Sequence, residues 1–363
     1  MLLSGCFRIL LLYDVAEATD LKALREILGP RGEQVQHEFP RRTPDYVRFD
    51  NPPVVESLDP VVLSTGERLA CSLKYYAYAV VVAELEVPFE CDWTGLLSQA
   101  SRWIDMPEVE ARARELVRQQ LARIAPAITR PTQQWLQETY LVINLQEIRG
   151  RESDRPTAAE MLSTHGPEIA QLIRGEVAPL APRINEEIAQ QGLSYYPSDL
   201  VVVGSSAALV YDRPEDAMAT SQVLEYAKMQ LLEFRYYDRL TTRLLSDAYD
   251  SLEQKGNVLL SRWSLSRRAQ RLNAIRLDVM ELTERVDNAI KFVSDIYYAH
   301  VYRLAATRMG VPDYHELVDE KLRAMGRLYE FMVGQFNESR SFVLELGIAI
   351  LALLDVILLL RGR

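Results

Sequence analysis

The chain has 363 residues, 48% hydrophobic and 25% charged, with a formal net charge of −10. That length holds two or three folded units, and the acidic balance argues against an extended basic footprint for nucleic acid and against attraction to anionic lipid. Cys6, Cys71 and Cys91, and His37, His165, His300 and His315, are too scattered for a disulfide framework or a zinc site, so neither metal nor cofactor is expected.

In chain order, Leu3-Ser4-Gly5-Cys6 has the letters of a lipoprotein cleavage box. Only five residues precede Cys6, too few for a signal peptide, so the bulk of the chain is expected in the cytoplasm. The apolar run Cys6 to Asp14 predicts a buried strand. Asp20 caps a helix over Leu21 to Leu28, which Gly29-Pro30 ends. Residues 31–60 read as an irregular loop with short extended pieces. Pro60 to Ser64 and Leu69 to Leu73 flank Thr65-Gly66-Glu67, a hairpin signal. The following strand sets Ala83, Leu85 and Val87 on one face and Glu84 and Glu86 on the other, and Pro88 stops it. Glu84, Glu86 and the later Asp199 read as solvent-facing carboxylates. Tyr75, Tyr76, Tyr78 and the pair Tyr195-Tyr196 have the look of a base-stacking platform. Lys74 is the one cation beside them, so sheet packing is the better account.

Asp92 caps a helix that sets Trp93, Leu96, Leu97, Ala100 and Trp103 on one face. Asp105-Met106-Pro107-Glu108 opens the next helix, with Asp105 as N-cap and Glu108 as the capping-box acid. Pro131 ends that segment, and Thr139 to Leu145 is a strand. Short helices fill 157–191, broken at Gly166-Pro167, Gly175 and Pro179. A hairpin closes the unit: Asp199 to Val203, a turn at Gly204-Ser205, then Ala207 to Tyr211. Strands and helices come in groups, which predicts an α+β domain with a mixed sheet over 1–211. No glycine-rich phosphate loop is present.

Beyond Asp212 the pattern turns to long helices, an antiparallel coiled-coil-like stalk of three over 212–341. The first seam runs through Ala217, Leu224, Leu231 and Leu245 with Ala227 and Phe234, and is polar only at Asp238 and Thr241. The second runs Leu272, Ile275, Val279, Leu282, Val286, Ala289, Val293 and Ile296, with His300 next. A buried histidine there would register the helices or titrate as a switch; a seam that frays is the plainer account. After a turn at Met309 to Asp313, the third helix starts near Asp313 with Val318, Leu322, Met325, Tyr329, Met332 and Phe336. Arg262, Arg267, Arg268 and Arg271 form the basic patch of note, at the tip between the first two helices.

The third seam runs on in phase into Phe342 to Leu360. Fourteen of those nineteen residues are Phe, Val, Leu or Ile. They favour insertion by roughly 4 to 8 kcal/mol, and a central acid costs about 2.5–3.5. Glu345 and Asp355 leave a modest balance for a single-pass C-terminal transmembrane helix at 342–360, over a buried core helix. Glu345, Ala349, Ala352 and Asp355 share one helix face, a contact for self-association inside the bilayer.

Leu11 to Leu28 (LLYDVAEATDLKALREIL) and Leu224 to Leu240 (LEYAKMQLLEFRYYDRL) resemble the "required for meiotic nuclear division" or DUF155 family. The long helix, turn, long helix and apolar tail introduced by Leu344-Glu345 follow a similar order. The resemblance implies an uncharacterised bacterial member, no established catalytic residues, and, by analogy with mitochondrial relatives, an anchor near ribosomes. The functional expectation is a tail-anchored, non-enzymatic scaffold or tether in the membrane, a homo-oligomer that holds the α+β domain in the cytoplasm. One alternative is a membrane-attached enzyme acting on a small molecule or nucleotide through acids such as Glu84, Glu86 and Asp199. Another is contact with RNA or ribosomes through the arginine patch.

Overall fold

Period-two alternation in the N-terminal half builds one eight-stranded sheet. The computed structural model describes residues 1–34, 52–150, 155–189, 191–253, 274, 275, 277, 279, 280, 296–328 and 330. The strands are β1 (Leu2–Thr19), β2 (Gly32–Gln34), β3 (Val54–Val62), β4 (Arg68–Tyr75), β5 (Val80–Cys91), β6 (Ile128–Arg149), β7 (Leu200–Val203) and β8 (Ala207–Tyr211). Their order is β2-β3-β4-β5-β1-β6-β8-β7. The pairings are antiparallel except β6 with β8, which is parallel, so the sheet is mixed. The helices are α1 (Leu21–Leu28), α2 (Trp93–Ile104), α3 (Pro107–Arg123), α4 (Ala158–Arg174), α5 (Pro182–Ala189), α6 (Pro214–Glu253) and α7 (Ile296–Met309). The α+β class of the N-terminal part is as expected.

Two compact units divide the chain: Met1–Tyr236 with Arg285–Tyr314, and Tyr237–Glu284 with His315–Arg363. In the first, the odd residues of the central strand, Leu3, Phe7, Ile9, Leu11 and Tyr13, join Leu73, Ala83, Leu85 and Ile143 from its neighbours. The apolar stripes of α2 and α4 complete this core through Trp93, Leu96, Ala100, Ile169 and Ile173. Even-numbered residues therefore face the other way, a fact that decides where the charges go.

Local signals explain several boundaries. Asp20 accepts from the Lys22 and Ala23 amides at 2.9 and 3.1 Å and so fixes the start of α1. Asp92 does the same for α2 through Gly95 at 2.8 Å. Thr157 and Glu160 form a reciprocal capping box at α4, and Gly175 closes that helix in the left-handed region at φ +72°. At Gly5, where the β1–β6 register shifts, an added Cβ would lie 2.0 Å from the Asn144 carbonyl oxygen. No side chain fits that approach.

Other boundaries correct the sequence reading. The first strand runs from Leu2 to Thr19, well past Cys6 and Asp14. Pro88 does not end β5, which continues to Cys91. The β4 ladder has left by Glu86, so Pro88 stands where β5 has a neighbour on one side only, and the missing N–H is tolerated there. Pro131 likewise lies inside β6, opposite Ala16. Four residues, Thr132 to Trp135, bulge out between it and Leu136, which pairs with Asp14. Asp105 is not the cap of α3. The N-cap is Met106, with no side-chain hydrogen bond, and Glu108 instead accepts from the Ser64 amide and hydroxyl, both at 2.7 Å. That acid braces the β3–β4 turn.

In the second unit Ile275 and Val279 pack with Val318, Leu322 and Met325, and Tyr237, Leu240, Leu244 and Leu245 lie against them. The seam residues expected on the second and third helices meet here. On α6 the packing side chains are Tyr237, Leu240 and Leu244 as well as Leu245, a wider stripe than a strict heptad. The third helical run is 311–328, starting two residues before Asp313, directly after Gly310 at φ +85°.

Among the described residues no helix is long and apolar enough to cross a membrane. The expected C-terminal transmembrane helix, and with it a tail-anchored, single-pass membrane protein, is corrected accordingly: the fold is α+β, a large mixed sheet with helices. The long helix α6 carries charged residues throughout its length, and the insertion balance of the tail was narrow because Glu345 and Asp355 oppose it. The run 342–360, with Glu345, Ala349, Ala352 and Asp355, lies outside the described residues.

Candidate functional site

The chemistry of the first unit is concentrated on the sheet face turned toward α6. Even-numbered positions bring Arg8 of β1, Lys74 of β4, Glu84 of β5 and Glu138 of β6 to this face. The helix presents Met218, Ser221, Glu225, Lys228 and Arg235, whose spacing of three, four, three and seven holds them in one stripe. Between them runs a connected set of ion pairs. Arg8 reaches Glu86 at 2.9 Å and Glu84 at 3.2 Å. Lys74 lies 2.8 Å from Glu84 and 2.6 Å from Glu225. The Tyr76 hydroxyl donates to the other oxygen of Glu225 at 2.6 Å. Further along, Glu138 takes Lys228 at 2.7 Å on one oxygen and Arg235 on the other. Tyr78 donates to the Met229 sulfur, Arg8 to the Met218 sulfur, and Ser221 faces Asn144 at 3.4 Å.

Glu84, Glu86 and Asp199 were expected to face solvent. Only Glu86 reaches solvent, and it is half-buried. Glu84 is buried in the ion pairs, and Asp199, 1% exposed, accepts from the Tyr195 and Tyr196 amides at 2.7 and 3.0 Å, holding the turn that displays those two rings. Tyr75 packs into the sheet and donates to the buried Glu56, while Tyr76 and Tyr78 stack at 5.5 Å with both hydroxyls engaged by α6. Tyr75, Tyr76 and Tyr78 are packing groups in this structure, whereas Tyr195 and Tyr196 are exposed.

The electrostatics of the site favour a fixed charge state. Burial works against the Lys74 ammonium, but Glu225 and Glu84 outweigh it and hold the group above the usual lysine value. Burial, reinforced by Glu225, holds the Tyr76 phenol well above its ordinary value. A general acid or base works best with a pKa near the ambient pH, and these two are driven away from it. Burial draws the Lys228 ammonium down to about 8, against the pull of Glu138 beside it. Two carboxyls are raised toward neutrality by burial, Asp14 to about 7 and Asp212 to about 6. Asp14 pairs in register with Leu136, whereas Asp212 follows Tyr211, the partner of Leu145. Nine residues of β6, roughly 30 Å at about 3.3 Å each, separate those levels. They cannot act together on one bond. Among the described residues no group of three or more His, Cys, Asp or Glu is placed to hold a metal ion.

The stalk residues singled out from the sequence are not brought together. Asp238 pairs with Lys321, which also donates to Thr242. Thr241 is fully buried, and its hydroxyl donates to the Tyr237 and Asp238 carbonyls at 2.7 and 3.0 Å. His300 is exposed on α7 and belongs to the first unit, with Asp238 and Thr241 in the second. Arg262, Arg267, Arg268 and Arg271 lie outside the described residues. Sequence reasoning passed over Arg8, Glu138, Glu225 and Lys228, and noted Lys74 only as the cation beside the tyrosines. The available signal was a lone charge inside an apolar strand, as in Phe7-Arg8-Ile9, and an opposite pair three apart among apolar neighbours, Glu225 and Lys228 in Val223-Leu224-Glu225-Tyr226-Ala227-Lys228-Met229.

Comparison with known proteins adds the following. The family model described as "Uncharacterized protein MJ0711, N-terminal domain" matches residues 4–217. The uncharacterized protein MJ0711 of Methanocaldococcus jannaschii is 21% identical over 192 residues, 53% of this chain and 58% of that protein, so the chain spans little more than half the length of the relative it matches. No solved structure matches. The match takes in the whole sheet with α1 to α5 and ends in the first turn of α6, so Arg8, Lys74, Glu84 and Glu138 fall within it and Glu225, Lys228 and Arg235 beyond it. Neither the DUF155 resemblance nor a bacterial origin is supported by these matches. With more than half of its residues covered, the chain belongs to the MJ0711 N-terminal domain family.

Proposed function

We propose that the protein is a non-enzymatic scaffold: an α+β body joined through one helix to a helical arm that engages other macromolecules. The observation that carries this reading is the double use of α6. Its first part, to Tyr236, belongs to the sheet unit and is tied to the sheet by Glu225, Lys228 and Arg235; its second part belongs to the arm. The concentrated charge of the body is spent on holding that helix, with each cation matched to a carboxylate.

Crosslinking in cells followed by purification of the tagged full-length chain tests the reading. A stoichiometric macromolecular partner should be recovered, and Leu322→Asp, which breaks the arm seam, should reduce its recovery while the body keeps its thermal transition. Saturable turnover of a small molecule that is abolished by Lys74→Met or Glu225→Gln in folded protein would instead make the charged face an active site.

A further inference from the structure

The helical run 311–328 has two faces. One carries Val318, Leu322 and Met325 into the arm seam. On the opposite face Glu316, Glu320, Arg323 and Arg327 are exposed, spaced three or four apart, with exposed Leu317 and half-buried Ala324 beside them. From Glu316 to Arg327 the stripe is polar in a directional way, acids in its N-terminal half and arginines in its C-terminal half, with exposed Glu330 one turn beyond. Leu317, 44% exposed, stands on the acidic half, and a shallow depression lined by Glu320, Lys321, Arg323, Ala324 and Arg327 lies on the basic half. Arg323 is shared with Asp319 one turn back at 3.2 Å, in an exposed pair that exchanges readily with another carboxylate.

We propose that this stripe is the surface through which two copies of the chain pair, antiparallel and about a two-fold axis. A two-fold contact brings the same patch together on both sides, so the patch must be complementary to itself when reversed. This one is. Turned end for end, each copy lays Glu316 and Glu320 over Arg323 and Arg327 of the other, and Leu317 enters the depression at Ala324. The parallel arrangement sets like charges together and is disfavoured. The proposal extends the scaffold reading by giving the arm a partner, a second copy, but it stands on the charge order of the stripe and fails or survives separately.

Sedimentation velocity of the full chain over a concentration series provides the test, at about 0.05 M salt, where charges are felt beyond about 10 Å, and at about 1 M, where the screening length is about 3 Å. The wild type should dimerise at low salt and weaken at high salt. Glu316→Arg with Glu320→Arg, and separately Arg323→Glu with Arg327→Glu, should each weaken the dimer by about tenfold or more. Mixed together, these two variants should recover dimer, because one stripe is then wholly basic and the other wholly acidic. Since all four residues are exposed, circular dichroism should report unchanged folding. A wild type that stays monomeric at low salt, double variants that dimerise like the wild type, or a mixture that stays monomeric would each overturn the proposal. A monomeric wild type that still recovers a macromolecular partner through the arm would leave the scaffold reading standing without it.

Discussion

The two parts of α6 solve the same packing problem with different chemistry. Up to Tyr236 the helix is tied to the sheet through Glu225 and Lys228, and its Leu224, Ala227 and Leu232 are buried. From Tyr237 onward it offers Tyr237, Leu240, Leu244 and Leu245 to Ile275, Val279, Val318, Leu322 and Met325, an apolar seam. Apolar contacts stabilise but tolerate sliding, because one methyl group is much like the next. Buried ion pairs add little net stability over apolar groups of the same size, but a missing partner leaves a charge stranded. The contrast suggests that the body holds the helix in one register and that the arm simply buries it.

Breaking the charged part should therefore hurt most. Lys74→Met leaves Glu225 buried without its cation and Glu84 with Arg8 alone, and should cost about 3–5 kcal/mol, read as a lowered midpoint of the body transition in urea. Adding Glu84→Gln and Glu225→Gln should restore most of the loss, since no uncompensated charge remains. In the apolar part Leu322→Ala should cost about 2–4 kcal/mol through the cavity it leaves, and the loss should fall on the arm transition alone.

Asp14 sharpens the comparison because it sits on the charged face without an ion pair among the described residues. Burial raises its carboxyl from 3.8 to about 7. The folded state thus keeps a proton that the unfolded chain gives up near pH 4. The contribution of Asp14 to stability is least unfavourable below that pH, falls as the pH rises toward about 7, and is flat above. Asp14→Asn should stabilise the body on the order of 1–3 kcal/mol above pH 7 and by nothing below pH 4, measured by urea unfolding at a series of pH values. The smallest expected effect lies away from α6. Thr157→Ala removes the capping box of α4 and should cost about 1 kcal/mol.

Much of the body was legible in the sequence because its signals are local. Asp20, Asp92 and Thr65-Gly66-Glu67 act on residues within one turn, and each lies where the sequence places it. Proline misled, since Pro88 was taken as the end of a strand and Pro131 as the end of the helical segment before one, and both lie inside strands. Whether a proline ends a strand depends on which neighbouring ladder is present, and that is a long-range property. The same limit hid the charged face. Alternation puts Glu84 on the face opposite Leu85, but not that Lys74, ten residues back, and Glu225, far along the chain, cover it. The arm seam was readable at Ile275, Val279, Val318, Leu322 and Met325 because a heptad writes its partners into its own period. Asp238 was taken as a flaw in that seam; Lys321 is its partner, and nothing near it in the sequence says so.

The central claim is that the buried charges fix a helix and perform no chemistry. The neutral variant carrying Lys74→Met, Glu84→Gln and Glu225→Gln tests it most directly, because it keeps the packing and deletes the charges. Hydrogen exchange on the full-length protein should show α6 protected across 224–236 as in the wild type, and recovery of the crosslinked partner should be unchanged. A variant that shows wild-type protection but loses its partner, or loses a turnover the wild type displays, would contradict the account and make the charged face the functional site itself.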